Sequence, residues 1–410
     1  MYSRNFMKFW LLLVLLVYAY FMFELFKKLS NKSSTVDVES DGMKAFYEES
    51  DPYLIELSKT SDLQSLVNEL NQKQEILNEN LFGPFEADDT IIAIQVHNKI
   101  DFLKLTIESL EKVKGIEKTL IIFSHSLFDV NINKIVRSIK FAKVMQIFYP
   151  YSTQIFPNSF PGNDPNDCPR DVTKEEAMRM KCNNAEFPDK FGHYRESRFV
   201  QIRHHWFWKI NFIFENLHVT RSFNGHVVFI DENYYLLPDS LYFLNEMKKL
   251  THNDPNCVYS LGTWKSEINP LKSHIAVVYG GIPHNSYIIT KHFWLTFKIH
   301  SETFCNTDDF NFDAAFVGIC QRHLKPRPHS MYPLVPRVYY IGDNATHVDG
   351  SHEKFYVYEK TVELAASLEP FLFPKRLEKK YNIINVRSYM ELGGFNDPRD
   401  KSLCMTMCNV

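Results

Sequence analysis

Apolar residues in this chain gather into short unbroken runs, separated by segments of helical periodicity. Thr90–His97 (TIIAIQVH) is short and apolar on both faces, which predicts a buried strand. Asp101–Lys112 follows as a helix, with Phe102, Leu105 and Ser109-Leu110 on one side. Thr119–Phe123 and Lys143–Phe148 predict a second and third strand, and strand–helix–strand alternation predicts a parallel sheet. Gln201–Leu217 places Trp, Phe and Ile on nearly every face at helical spacing, the pattern of a buried helix. Asn224-Gly225 then breaks the chain, and His226–Ile230 predicts a buried strand running into Asp231-Glu232-Asn233. Ser260–Trp264 and Ile275–Tyr279 predict further strands. Gly280-Gly281 predicts a turn, and Ser286–Thr290 leads into an aromatic helix, Lys291–Phe297.

The amino terminus has another pattern. Phe9–Phe26 is an apolar run with Glu24 as its single charge, at the short end for a membrane span. No small-residue cleavage pattern follows, which favours a signal anchor over a removed signal peptide. Basic residues flank both sides, so the short head and long tail, rather than charge, set the expected orientation. The expected organisation is a cytoplasmic tail (1–8), a transmembrane signal anchor (9–26), a stem (27–86) and a lumenal domain (87–410). Leu63, Leu66, Leu70 and Leu77 predict a helix within the stem, pairing with another chain or lying on the globular domain.

Composition bounds this picture. A net charge of −3 gives no reason to expect nucleic-acid binding, and 15% aromatic residues fit a large packed core. Seven cysteines leave at least one unpaired within the chain. In an oxidising lumen, Cys168 and Cys182, 14 apart in a Pro- and Asp-rich loop, are the first expected disulfide, and Cys305 with Cys404 is a candidate second. Zinc is disfavoured, because no CxxC pair with matching partners occurs. Asn31 and Asn344 head glycosylation sequons.

Candidate chemistry sits where strands end. An acidic cluster at the carboxyl end of a buried strand lies where α/β folds hold ligands, although solvated turns of this composition are common. Strand alternation predicts that Asp231 and Asn233 share a direction, with Glu232 opposed, an arrangement suited to a hard cation and a phosphate. Gln95, His97 and Asn98 end the first strand in the same manner. In Asp308–Asp313 (DDFNFD), local pattern makes Asp313 a helix-start residue with a capping role.

Five blocks, in order, resemble the N-acetylglucosaminyltransferase II family of inverting transferases: QVHN (Gln95–Asn98), FPGNDPNDCPRD (Phe160–Asp171), NAEFPDKFGHYRE (Asn184–Glu196), the Gln201–Asp239 stretch, and DDFNFD. The resemblance implies a GT-A-type α/β domain with a mixed, mainly parallel central sheet. It implies transfer of GlcNAc from UDP-GlcNAc to the 2-hydroxyl of the α1,6-arm mannose of N-glycans, as a single-pass type II protein of the Golgi membrane with a lumenal catalytic domain. It makes Asp313 the catalytic base, because the attacking hydroxyl must lose a proton. It places Gln95, His97, Asn98, Lys99, Ser126, Gln201 and His205 around the donor, and Asp231 and Glu232 near the diphosphate. The metal positions, for Mn2+, fall on Asn233 and Tyr340.

This chain departs from the family at those points. Ser126 stands where an Asp is usual, Lys99 where an Arg is usual, Asn233 where the metal-binding Asp is usual, and Tyr340 where a His is usual. An amide oxygen binds a cation more weakly than a carboxylate, and a neutral phenol is a poor ligand. His347 is a candidate substitute. Arg203, Lys209 and Arg337 are candidates to neutralise a departing diphosphate if metal is lost. Three readings follow: the family's transferase, a transferase with changed metal or donor needs, or a catalytically impaired lumenal homologue acting as a glycan-binding or complex-forming protein.

Overall fold

A computed structural model describes residues 51–55, 59–262, 268–282, 286–342, 355–382 and 391–409. The expected anchor at 9–26, the sequons at Asn31 and Asn344, and His347 lie outside the described residues. Among the described residues, no helix is long and apolar enough to cross a membrane.

Twelve strands are described: β1 Ile76–Leu77, β2 Ile91–Val96, β3 Leu120–His125, β4 Lys143–Phe148, β5 His226–Asp231, β6 Tyr234–Leu236, β7 Val258–Tyr259, β8 Ile275–Tyr279, β9 Tyr287–Thr290, β10 Ser330–Pro333, β11 Val338–Tyr340 and β12 Glu378–Asn382. Ten form one sheet in the order β1-β4-β3-β2-β5-β9-β7-β10-β8-β12, while β6 and β11 make a separate pair. The block β4-β3-β2-β5 is wholly parallel, whereas β9 runs antiparallel to both β5 and β7. The sheet is thus mixed, with a parallel half where the strand–helix alternation predicts one. Burial explains the unbroken apolar runs: β2, β3 and β4 have no exposed position, since both faces carry packed layers. One layer holds the Ser197–Asn211 helix with Phe207, Trp208 and Ile210, and the opposite layer holds Leu103, Leu110 and Phe243.

Two expectations change. The predicted strand Ser260–Trp264 is replaced by the two-residue β7 immediately before it. The Ser286 hydroxyl accepts from the backbone N–H groups of Leu261 (3.0 Å) and Gly262 (3.2 Å), holding this segment as a loop; Thr263 and Trp264 lie outside the described residues. The folded body also starts earlier than residue 87, at Asp51. The Thr60–Lys73 helix buries Leu63, Val67 and Leu70 against Phe128, Phe148 and Ile155, and Asn71 exchanges hydrogen bonds with the Phe148 backbone at 2.7 and 2.8 Å. Leu77 leaves the helical register and joins β1, beside β4. The helix therefore belongs to the domain, because a polar residue within its apolar face satisfies the β4 backbone at Phe148, beyond the reach of the two-residue β1.

Both expected disulfides are present, Cys168–Cys182 and Cys305–Cys404, and Cys257, Cys320 and Cys408 are buried thiols. The second bridge ties the carboxyl-terminal helix Pro398–Thr406 to the Ser301–Asn306 helix. Asp400 in that helix accepts from Arg195 at 2.7 and 3.2 Å and is hydrogen-bonded to His204 at 3.2 Å.

Candidate active site

The carboxyl ends of β2, β3 and β5 converge on one pole, as strand order requires. There, Asp231 and Asp313 line the same cavity, together with Ile202, Trp206, Tyr234 and Tyr287. Its volume of about 200 Å³ is below the range usual for whole small-molecule ligands, so it accommodates a reacting end rather than an entire nucleotide sugar.

The DDFNFD block divides its labour. Asp308 accepts from the backbone N–H groups of Lys190 (3.0 Å) and Phe395 (2.9 Å). Asp309 accepts from those of Asn311 (2.7 Å) and Leu392 (2.9 Å). Asn311 is the N-cap of the Phe312–Arg322 helix, its side chain accepting from the Asp313 N–H at 2.9 Å. The capping role that local pattern gives Asp313 thus belongs to Asn311, which leaves the Asp313 carboxylate for the cavity. Its Oδ1 accepts from the Tyr287 hydroxyl at 2.8 Å. Burial pushes Asp313 up to about 7; the Tyr287 hydrogen bond opposes this, and Asp231 and Asp309 add to it. A carboxyl near neutrality is matched to general-base work.

The triplet after β5 splits. Glu232 is opposed to Asp231, as alternation predicts: its carboxylate accepts from the backbone N–H groups of His97 (3.0 Å) and Lys99 (3.1 Å) and so braces the turn after β2. Asn233 does not share the direction of Asp231 into the cavity. The strand ends at Asp231, the next two residues form a turn, and Asn233 accepts from the Ile341 N–H through its backbone oxygen (2.9 Å), with its side-chain amide beside Gly342. Alternation fails there because β6 must pair with β11, which sets Tyr234 opposite Tyr340. Tyr340 itself is partly exposed at the end of that pair.

The remaining donor-side residues fall into two groups. His97, hydrogen-bonded to Ser126 at 3.1 Å and to Gln95 at 3.4 Å, sits edge-on to His205, with ring centroids 6.1 Å apart. His205 is hydrogen-bonded to Ser124 at 2.8 Å and stacks on Tyr149. Burial drives His97 down to about 4 and His205 well below its ordinary value, with Lys209 adding to both, so both rings are neutral. Asn98 and Lys99 are exposed on the turn above. Gln201 lies apart: its side-chain oxygen accepts from the Thr153 N–H at 2.6 Å and secures the loop after β4.

Sequence reasoning missed Tyr287 and Ser124. Ser124 was legible, since it shares the face of Ser126 at strand spacing. Tyr287 was not, because only the long-range register of β9 against β5 brings it to Asp313.

Of the three cations considered for the diphosphate, two are committed elsewhere. Arg203 donates to the backbone oxygens of Phe304, Thr307 and Asp309. Arg337 donates to Asp239 (3.0 Å), Ser273 and Val335. Lys209 is sealed over the Trp206 ring, and its ammonium has no hydrogen-bond partner. Burial lowers its pKa, opposed by Asp231, whose Oδ1 is likewise unpartnered.

The residues at the expected metal positions do not fit Mn2+. The Asn233 amide and the Tyr340 phenol lie together beside Gly342 but are both neutral, Asn233 does not line the cavity, and no cluster of three or more His, Cys, Asp or Glu able to hold a metal occurs among the described residues. A divalent ion of this kind needs several oxygen or nitrogen ligands including anionic ones.

The family model of N-acetylglucosaminyltransferase II (MGAT2) matches residues 64–404. The chain is 34% identical over 353 residues to an alpha-1,6-mannosyl-glycoprotein 2-beta-N-acetylglucosaminyltransferase of Mus musculus, covering 83% of this chain and 79% of that protein. It is also 34% identical over 240 residues to the Arabidopsis thaliana protein of the same description, covering 58% and 54%. Among solved structures, a crystal structure of S. aureus TarS overlaps with a TM-score of 0.29 and 8% identity, over 60% of this chain and 37% of that one, and carries no argument. The matched span contains the β2 and β5 ends, the Ser197–Asn211 helix and the Asp313 block, and the chain belongs to the N-acetylglucosaminyltransferase II family.

Proposed function

We propose that this chain transfers N-acetylglucosamine from UDP-GlcNAc to the 2-hydroxyl of the α1,6-arm mannose of N-glycans, with inversion. The observation that carries the reading is the Asp313 carboxylate, free of capping duty and facing the cavity that the end of β5 lines. In this reading the sugar's anomeric carbon lies between Asp231 and Asp313. The uridine extends over the turn after β2, against the neutral His97 and the Ser126 hydroxyl. Lys99, exposed on that turn, meets the diphosphate as a point charge. Asp313 takes the proton of the attacking mannose hydroxyl as the new bond forms and UDP departs. The domain stands in the Golgi lumen behind the 9–26 anchor, a placement supported by the two disulfides and the apolar amino-terminal run.

The donor set at the metal positions favours a second reading, in which the chain holds N-glycans without transferring sugar. One experiment separates the two. The detergent-solubilised full chain is given UDP-GlcNAc and an acceptor glycan with a free α1,6-arm mannose, with Mn2+ or with chelator. The first reading expects a β1,2-linked product in both arms, with chelation costing less than about tenfold. Acceptor binding with no product in either arm establishes the second. Product formed only with Mn2+ overturns the metal assignment and keeps the transferase.

A further inference from the structure

The mechanism above uses Asp313 and leaves Tyr287 unexplained. Tyr287 is buried, 3% exposed, on β9, where the antiparallel register sets it opposite Phe229, two residues before Asp231. Its ring packs on Phe316 at 4.8 Å and lies edge-on to Phe312 at 6.5 Å, both on the Phe312–Arg322 helix that carries Asp313 in its first turn. These contacts fix the phenol at the mouth of that helix, and its hydroxyl meets Asp313 Oδ1 at 2.8 Å. We propose that Tyr287 is the positioning residue of the base, holding Oδ1 of Asp313 so that Oδ2 is presented to the acceptor hydroxyl. The proposal rests on Asp313 being the base.

The proton balance is explicit. The acceptor O–H bond breaks as its oxygen bonds the anomeric carbon. The bond from that carbon to the diphosphate breaks, its electron pair leaving with UDP. The proton goes to Oδ2, and Tyr287 keeps its own. Burial raises the pH at which the Asp313 carboxylate ionises, and the donor hydrogen bond from Tyr287 lowers it, making the base available at a lower pH than it would be without the hydroxyl. The other ionisable groups facing Asp313 are Asp231 from β5, Asp309 from the preceding loop and Tyr234 from β6. All three are acids, and the two aspartates oppose ionisation of Asp313, so among the described residues Tyr287 is the group that favours it.

The test is the pH dependence of kcat/KM for the acceptor, measured on the full-length protein. In the parent, activity should rise along a limb near pH 7, the value to which burial pushes Asp313. Tyr287→Phe keeps the ring and removes the hydroxyl. It should move the limb up by about one pH unit, lowering the rate at pH 6 about tenfold while the alkaline plateau falls only a few-fold. Site-specific 3-fluorotyrosine at position 287, a stronger donor of the same shape, should move the limb down. Phe316→Leu loosens the same packing without touching the hydroxyl, and should lower the unfolding midpoint with the limb in place. The proposal is overturned if Tyr287→Phe lowers activity equally at every pH, if the fluorinated protein shows no shift, or if Phe316→Leu shifts the limb as Tyr287→Phe does. Asp313→Asn separates this from the base assignment. If that variant keeps the parent's activity and limb, the base assignment fails. If it is inactive while Tyr287→Phe leaves the limb unmoved, only the role of Tyr287 fails.

Discussion

Arg203 and Lys209 lie on the same helix, both without solvent exposure, and they live in opposite circumstances. Arg203 faces the carboxyl-terminal side, where its guanidinium feeds three backbone oxygens and stacks over Phe395 at 3.7 Å. Beside it, His204 and Arg195 hold Asp400, and this pairing keeps Asp400 below the ordinary carboxylate range although burial alone would raise it. Six residues further on, Lys209 has no hydrogen-bond partner, and Asp231 Oδ1 and His205 Nδ1, whose residues feel its charge, are unpartnered as well. Folding does not favour leaving such groups unpaired, since each costs about 1–3 kcal/mol. Arg203 leaves only its Nε, and His204 only its Nδ1, without a partner, whereas the Lys209 ammonium has none at all; a buried charge paired through most of its donors is structure, and one with no hydrogen bond marks a place a ligand can complete.

If that division is right, damage on the two sides should have opposite signatures. Asp313→Asn removes the proposed base and leaves the fold, so transfer should fall by about 10²–10⁴-fold with donor affinity and unfolding midpoint unchanged. Initial rates, donor calorimetry and a thermal scan on one preparation check this, and substantial residual transfer would remove Asp313 from the mechanism. Asp400→Ala strands Arg195 and His204 in the interior and should cost about 3–5 kcal/mol of stability. The rate per folded molecule should then stay near the parent's. Should Asp400→Ala abolish transfer without destabilising the protein, the carboxyl-terminal network would belong to the site, and the two sides would not be separable.

The same division explains what could be read from sequence. β2, β3, β4 and β5 were legible because strands buried on both faces are unbroken apolar runs, and the Ser197–Asn211 helix because its rings recur at helical spacing. Asp231 was legible because it ends such a run. Local pattern alone gave Asp313 the wrong role, since a helix-start Asp and a helix-start Asn three residues into DDFNFD compete for one cap and only the folded loop shows that Asn311 takes it. The role of base proposed for Asp313 comes from the family resemblance, not from local pattern. Asn233 was misplaced by extending strand alternation past the last strand residue. The family resemblance placed Gln201 near the donor, and in the structure its side-chain oxygen accepts from the Thr153 N–H. Tyr287 carries no local signal, because its meaning comes from a pairing between β9 and β5.

His125 tests the comparison from the donor side. It ends β3 and stacks on Phe148 at 4.7 Å, with the Gln146 side chain as its polar neighbour. Burial drives it down to about 3. A basic group depressed on folding binds its proton in the unfolded chain first. Stability is therefore lost as pH falls below about 6.5, until the folded-state value is reached. At pH 5 the gap amounts to about 2 kcal/mol. His125→Phe, of similar shape, should remove this acid sensitivity: denaturation midpoints of parent and variant converge near pH 7.5 and separate toward pH 5, with the variant more stable. Parallel curves at both pH values would show that the ring protonates in place.

Lys209→Met gives the smallest expected effect and the sharpest test of the comparison. The substitution keeps the apolar stem that packs on Trp206 and removes an ammonium that makes no hydrogen bond. Stability should therefore stay within about 1 kcal/mol of the parent, in contrast to the cost of Asp400→Ala. Asp231 loses the positive charge that opposes its protonation, and His97 and His205 lose a charge that keeps them neutral. The electrostatics of the donor pole change while its shape does not, so transfer should fall about tenfold, mainly in kcat/KM for the donor. A Lys209→Met protein that is destabilised as strongly as Asp400→Ala, with unaltered kinetics, would place Lys209 on the structural side of its helix. Unpartnered burial would then cease to distinguish the two sides.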